Sequence, residues 1–253
     1  MKTTFRKILT LTILMHGLIY ASPVFAQGIK IRVGHFPNVT HAPALIALAT
    51  QHFEKSFGET ATIEWKTFNA GSLAIEALFA REIDLLYVGP NPAINGYVRS
   101  KGKALRVIAG VASGGSAFVV RSGSEIRKPE DLKGKRVATP QIGNSQDVAL
   151  RYFMLKKGLS PRSNGGDVDI FNIVSGDQLT VLSQAQVDGI WTTEPWVSRL
   201  VSEVNGKILF EEEELWPNGE YATALLVVRK TFMEQHASLV QKWVKGHVEL
   251  IDW

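Results

Sequence analysis

The chain has 253 residues, enough for one large domain or two small ones. Its 45% hydrophobic and 21% charged residues exclude disorder as its main state. It contains no cysteine, which excludes disulfides, thiol nucleophiles, cysteine-ligated zinc and a lipid anchor on cysteine, and a net charge of +4 without a clustered basic face does not mark a nucleic-acid partner.

Most of that charge comes from the first residues. Lys2, Arg6 and Lys7 precede an apolar run from Ile8 to Tyr20, and Val24 and Ala26 stand at the −3 and −1 positions before Gln27. This pattern predicts a cleaved secretory signal peptide over residues 1–26, with an apolar core too short to span a bilayer; an uncleaved anchor is the alternative. Without it the chain carries 25 basic against 24 acidic residues, a net charge of +1. An exported chain free of cysteine is expected free in a bacterial periplasm.

Residues 29–33 alternate as a strand, and 34–38 form a turn. A helix is expected over about 41–53, with Thr40 able to cap it and Pro43 in its first turn. A second strand (61–68) leads through Asn69-Ala70-Gly71 into a short helix (72–81). A third strand (84–88) leads through Gly89 to Pro92 into a helix from about Ala93. Strands at 105–112 and 117–121 flank Ser113-Gly114-Gly115-Ser116. The alternation then starts afresh: a helical turn at 128–132, a strand at 136–139, a helix at 145–157, a strand at 168–174, a helix at 176–186, a strand at 189–192 and a helix at 195–204. A last strand, 221–229, precedes a helical C-terminus (about 239–251). Glu211 to Glu214 read as an exposed, solvated loop. Such alternation builds largely parallel sheets with helices on both faces.

Ligands of open α/β sheets sit outside the carboxyl ends of the strands. Six loops stand there: 37–41, 68–72, 89–92, 113–116, 141–146 and 191–196. All are rich in Asn, Gln, Ser, Thr and Gly, and free of Lys and Arg. Four of them open helices, whose unpaired N–H groups and positive dipole ends can hold an anion without a formal cation. Asn38, Thr40, Asn69, Ser72 and Ser145 are equally ordinary as helix caps; the recurrence over six loops favours a binding site. Trp191 reads as a ligand wall or as core, with ligand contact narrowly favoured, and Trp196 as core. Glu194 can orient a ligand amine or open a helix. His35 and His41 lack a third ligand for a metal, so a polar contact by His41 is the better reading. No nucleophile elbow, dinucleotide fingerprint or phosphate loop occurs, so no catalytic residue and no cofactor is expected.

The segments IRVGHFPNVTHAPAL, FNAGSLAIEALFAREIDLLYVGPNPAINGY, EDLKGKRVATPQIGNSQDVALRYFMLKKGL and VDGIWTTEPW, with VVRKTFMEQHASLVQKWV, resemble periplasmic solute-binding proteins of ABC transporters in the nitrate/sulfonate/taurine group. The resemblance implies a two-lobed periplasmic binding protein fold (type II) of α/β class. Lobe 1 would hold 27–118, lobe 2 119–220, and 221–253 would return to lobe 1, incomplete at its C-terminal end because family members continue further. Carried over by motif, the ligand contacts would be Asn38, Thr40, His41, Asn69, Gly71, Ser72, Gly89 and Asn91 on lobe 1. On lobe 2 they would be Gln141, Asn144, Ser145, Gln146, Trp191 and Glu194. The implied partners are a small anion and an inner-membrane permease, with no nucleic acid, and the protein would be a monomer. Sulfonate and taurine binders often carry an acid after the third strand's glycine; here Pro90-Asn91 stands there, which disfavours an amine-bearing ligand. Two other readings are thiamine-pyrimidine precursor binding or synthesis on the same fold, an enzyme family that uses a cysteine-rich iron-binding segment, and an exported ligand-sensing domain.

Overall fold

A computed structural model describes residues 28–252; the expected signal peptide lies outside them. Strands β1 (Ile29–His35), β2 (Ala61–Thr67), β3 (Leu85–Val88) and β4 (Leu105–Ser113) precede β5 (Ser116–Val120), β6 (Arg136–Thr139), β7 (Asp169–Asn172), β8 (Gly189–Thr193), β9 (Lys207–Glu211) and β10 (Ala222–Arg229). They form two five-stranded sheets, ordered β2-β1-β3-β10-β4 and β7-β6-β8-β5-β9. In each sheet one strand, β10 or β5, runs against the other four. The two orders are the same arrangement built twice.

Alternation along the strands places core on both faces of each sheet. In β3, Leu85 and Tyr87 join one cluster while Leu86 and Val88 join another. The first cluster is covered by helices α1 (Ala42–Thr50) and α2 (His52–Phe57), and the second by α3 (Gly71–Phe79) and α4 (Pro90–Arg99). In the second sheet, α5 (Ser145–Lys156) covers Phe118, Val137 and Trp191, while α6 (Gln178–Ser183) and α7 (Trp196–Val204) cover Ala117, Val119 and Ile190. After β10, α8 (Lys230–Gln235) leads into α9 (Ala237–Ile251), which returns to the first cluster. There Trp243 stacks on Phe53 with ring centroids 3.6 Å apart, and His247 Nε2 donates to the Gly110 carbonyl at 2.9 Å.

Each sheet is tied at the end remote from the cleft by one aspartate placed just before its third parallel strand. Asp84 is fully buried; it accepts the Arg32 N–H at 3.0 Å and the Arg32 guanidinium at two positions, each 2.9 Å. Arg229, at the end of β10, adds a bond of 2.5 Å. Asp188 repeats the plan with the Arg136 N–H at 2.9 Å and Arg121 Nε at 3.2 Å. Burial opposes the Asp188 charge, but these donors together hold its pKa below the ordinary carboxylate value.

Several expectations need correction. The helix expected over 41–53 is broken at Gln51, which has φ 55°, into α1 and α2. Helix α4 starts three residues early, because Pro90 has the backbone angle a first helical position needs. An unexpected strand, β9, pairs with β5. The acidic run is not wholly solvated: Glu212 is 4% exposed and accepts Trp191 Nε1–H at 2.8 Å. Burial pushes its pKa up to about 7. The expected lobe division at 118 falls inside β5, all of which pairs in the second sheet. The chain crosses between sheets at Gly114 and Gly115, with φ of 73° and 76°, a conformation that suits glycine. It crosses back before β10, where Tyr221 Oη accepts the Ser116 N–H at 3.2 Å and Thr223 Oγ1 donates to the Gly114 carbonyl at 2.5 Å.

Asp84→Asn is expected to cost about 3–5 kcal/mol in urea unfolding, because it strands a nearly buried Arg229. Asp188→Asn should cost less, about 1–2 kcal/mol, since its arginines are partly exposed and keep some contact with water.

Candidate functional site

The carboxyl ends of β1, β2 and β3 face those of β6, β7 and β8 across a cleft with a cavity of about 90 Å³. That is room for a small group, about three waters at about 30 Å³ each. From the first sheet it is lined by Phe36, Asn38, Thr40 and His41 after β1, Asn69 and Gly71 after β2, and Val88, Gly89 and Pro92 around the end of β3. From the second come Pro140, Gln141, Asn144, Ser145 and Gln146 after β6, Ser175 after β7 and Thr193 at the end of β8. Thr223 reaches the same edge because β10 runs antiparallel to β3.

Among the described residues, no lysine, arginine, aspartate or glutamate lines the cleft. Its one titratable side chain is His41, buried, with its pKa lowered to about 3 by desolvation first and by neighbouring His35 second. His41 Nδ1 accepts the Phe36 N–H at 3.3 Å, which puts the ring proton on Nε2 and makes that nitrogen a donor. The cleft is therefore polar and formally neutral.

Four helix N-termini open on it: α1 at His41, α3 at Gly71, α4 at Gly89 and α5 at Asn144. The first three have no side-chain cap from their own N-cap residues. Thr40 does not cap α1, as its Oγ1 donates instead to Asn38 Oδ1 at 2.6 Å. In α5 the cap is Asn144, whose Oδ1 accepts the Asp147 N–H at 2.8 Å, while Ser145 is the first helical residue. Ser145 Oγ is buried without a partner. A buried hydroxyl without a partner is costly, and beside the positive ends of these helices it marks a place for an acceptor.

The loop carrying Asn144 and Ser145 is held from behind. Asp147, nearly fully buried, accepts Thr139 Oγ1 at 3.1 Å, the Gly143 N–H at 2.9 Å and Arg151 Nε at 2.9 Å. Gly143 has φ 74°, the left-handed conformation that this tight return demands. The expected pairing of Asp147 with Arg151 is thus a strut of the loop, and the carboxylate is saturated away from the cleft.

Ten of the fourteen expected site residues line this cleft; Ser72, Asn91, Trp191 and Glu194 do not. Ser72 is exposed at the rim and bonded by Gln141 Nε2 at 2.7 Å. Asn91 is in the first turn of α4, outside the lining. Trp191 is fully buried beneath α5 with Phe118, Phe153 and Phe210, because strand alternation sends it to the face opposite Ile190. Trp196, expected in the core, is only half-buried, with the Arg199 guanidinium over its ring. Glu194 holds the start of α7, accepting the Ser198 N–H at 3.1 Å and Ser198 Oγ at 2.8 Å. The loop 113–116 is the crossover and lies outside the cavity lining. Of the residues sequence reasoning missed, Phe36, Val88, Pro140 and Thr193 were signalled by their places at strand ends; Thr223 depends on topology alone.

Residues 27–253 match the NMT1-like family. The taurine-binding periplasmic protein of Escherichia coli K12 is 28% identical over 224 residues, which cover 88% of this chain and 66% of that one. A putative aliphatic sulfonates-binding protein of the same strain is 26% identical, over 78% of this chain and 59% of its own length. The chain thus spans less than two thirds of the length of either relative. Its fold is that of the alkanesulfonate-binding protein from Xanthomonas axonopodis pv. citri bound to MOPS, with a TM-score of 0.74 at 24% identity, covering 89% of this chain and 74% of that one. The periplasmic nitrate-binding protein of Synechocystis PCC 6803 has a TM-score of 0.72 at 15% identity, covering 90% and 62%.

Two titrations test the electrostatics. His41 stays neutral in the fold, so its contribution to stability is complete above 6.5 and is lost as pH falls from there toward about 3. His41→Asn keeps an acceptor for the Phe36 N–H and should flatten that acid loss in thermal unfolding. Glu212 behaves oppositely: its contribution is complete below 4.5 and is lost as pH rises through about 7. Glu212→Gln should therefore gain on the wild type steadily as pH rises across that window.

Proposed function

This chain belongs to the NMT1-like family, and we propose that it is the substrate-binding component of a periplasmic ABC importer. It captures a small oxyanion, foremost an aliphatic sulfonate, in the cleft between its two sheets and delivers it to an inner-membrane permease. The observation that carries this reading is the formally neutral cleft lined by side-chain amides and hydroxyls, onto which four helix N-termini and the unpartnered Ser145 hydroxyl converge. Amide and hydroxyl donors stabilise an oxyanion there without an ion pair, whose burial would carry a large desolvation cost. No chemical step is required; ligand contacts to both halves favour the closed form.

The ligand's other end is defined by what the lining lacks. Among the described residues no carboxylate lines the cleft: Glu194 holds α7, and Asp147 is saturated within the loop and first turn of α5. An ammonium group would find no counter-charge, so a plain alkanesulfonate is favoured over taurine, even though a taurine-binding protein is among the relatives. Phe36, Val88 and the two prolines offer apolar contact for a short alkyl chain. The precursor-synthase reading is weakened by the absence of cysteine, and both it and the sensor reading by relatives described as binding proteins.

A thermal-shift and calorimetric screen against ethanesulfonate, taurine, nitrate, bicarbonate and a pyrimidine tests the assignment. Ethanesulfonate should raise the midpoint more than taurine does; a shift with the pyrimidine alone would overturn it. Ser145→Ala combined with Asn144→Ala should weaken ethanesulfonate at least ten-fold with the fold retained, about 1.4 kcal/mol. Unchanged affinity would leave the two residues a purely structural role.

A further inference from the structure

The two halves meet at the crossover and across the mouth of the cleft. Among the described residues no salt bridge joins them, and away from the crossover only one side chain makes hydrogen bonds between them. That side chain is Gln141, on the loop after β6. Its Oε1 accepts the Gly71 N–H at 3.1 Å, and its Nε2 donates to Ser72 Oγ at 2.7 Å. Both partners lie in the first turn of α3, in the other half, and α3 has no side-chain cap from its own N-cap, Ala70.

We propose that Gln141 is a latch: a helix cap supplied from the opposite lobe, which forms when the cleft shuts and sets how long it stays shut. Three features fit it for this role. Both ends of its amide are engaged, so opening breaks two bonds and exposes an uncapped helix end. The loop that carries it is braced by the buried Asp147, which holds the Gly143 N–H and the partly exposed Arg151. The other cross-mouth approach is steric: an added Cβ on Gly89 would lie 2.6 Å from Ser145 Oγ, so the halves are already in close contact when the latch engages. Gln141 is neutral and occupies the Gly71 N–H and Ser72 Oγ, leaving the Ser145 hydroxyl to the ligand. It is a positioning residue, and its effect falls on release more than on capture.

Small-angle scattering on the full chain, without added ligand, reads the latch directly. Gln141→Ala should increase the radius of gyration over the wild type. Gln141→Glu should stay compact, because a carboxylate oxygen still accepts the Gly71 N–H and Ser72 can donate to it. An unchanged radius in Gln141→Ala, or equal expansion in Gln141→Glu, overturns the proposal. Circular dichroism and urea unfolding confirm that each variant is folded. The ligand arm rests on the anion-binding reading and uses ethanesulfonate. In stopped-flow binding, Gln141→Ala should release it about ten-fold faster, with association within about two-fold of wild type. Gln141→Glu should capture it more weakly by charge repulsion. Faster release is the expected result, and unchanged release overturns the role in holding ligand. If the wild type expands on losing Gln141 but binds no ethanesulfonate, the latch stands and the sulfonate reading falls.

Discussion

One buried carboxylate with arginines on two flanking strands is the interaction on which each half of this protein is built. Asp84 joins Arg32 on β1 to Arg229 on β10, and Asp188 joins Arg136 on β6 to Arg121 after β5. Each aspartate stands just before the strand that separates these two, so one side chain aligns three strands at the edge remote from the cleft. Backbone bonds reinforce the alignment: Asp84 N–H donates to the Arg32 carbonyl at 2.8 Å, and Asp188 N–H to the Arg136 carbonyl at 2.7 Å. The arrangement separates charge from function. These two ion-pair clusters lie toward the amino ends of the parallel strands, and among the described residues no formal charge lines the carboxyl ends that face the cleft.

That separation gives the cleft its chemistry. An anion held by lysine or arginine would require those charges to be desolvated on closure, at a cost that the attraction does not reliably offset. Helix N-termini and neutral donors avoid the cost, because their dipoles are already fixed in the fold. His41 extends the same principle: burial keeps its ring neutral far below the ordinary histidine range, so it donates through Nε2 without a pH-dependent charge. The loop after β6 is the most heavily braced part of the lining, with Asp147 facing inward behind α5 and Ser145 facing the cleft.

The two halves are coupled by economical means. The crossover strands pass through Gly114 and Gly115 on one side and the Tyr221–Thr223 bonds on the other, a pair of short connections that can bend without breaking either core. Across the mouth, Gln141 supplies the cap that α3 lacks. Closure is thus favoured by neutral hydrogen bonds at both ends of the cleft, worth about 1 kcal/mol each, which suits a device that must also open.

Much of this was legible from the sequence. The strand and helix alternation, its restart near residue 128 and the polar loops at strand ends came from apolar periodicity and turn chemistry, which are local properties. Ten of the expected contacts line the cleft for the same reason: a strand's carboxyl end is a position that can be read along the chain. What failed depends on partners distant in sequence. Trp191 and Glu194 looked available until alternation and the Ser198 cap placed them elsewhere; Glu212 looked solvated until Trp191 was found against it. Gln141, read only as a ligand donor, reaches residues seventy positions earlier. Periodicity determines which face of an element is apolar, because that follows from 3.6- and 2-residue repeats. Which polar side chain meets which is decided only when the sheets are assembled, because a hydrogen bond depends on atoms being within about 3 Å and carries no signature along the chain.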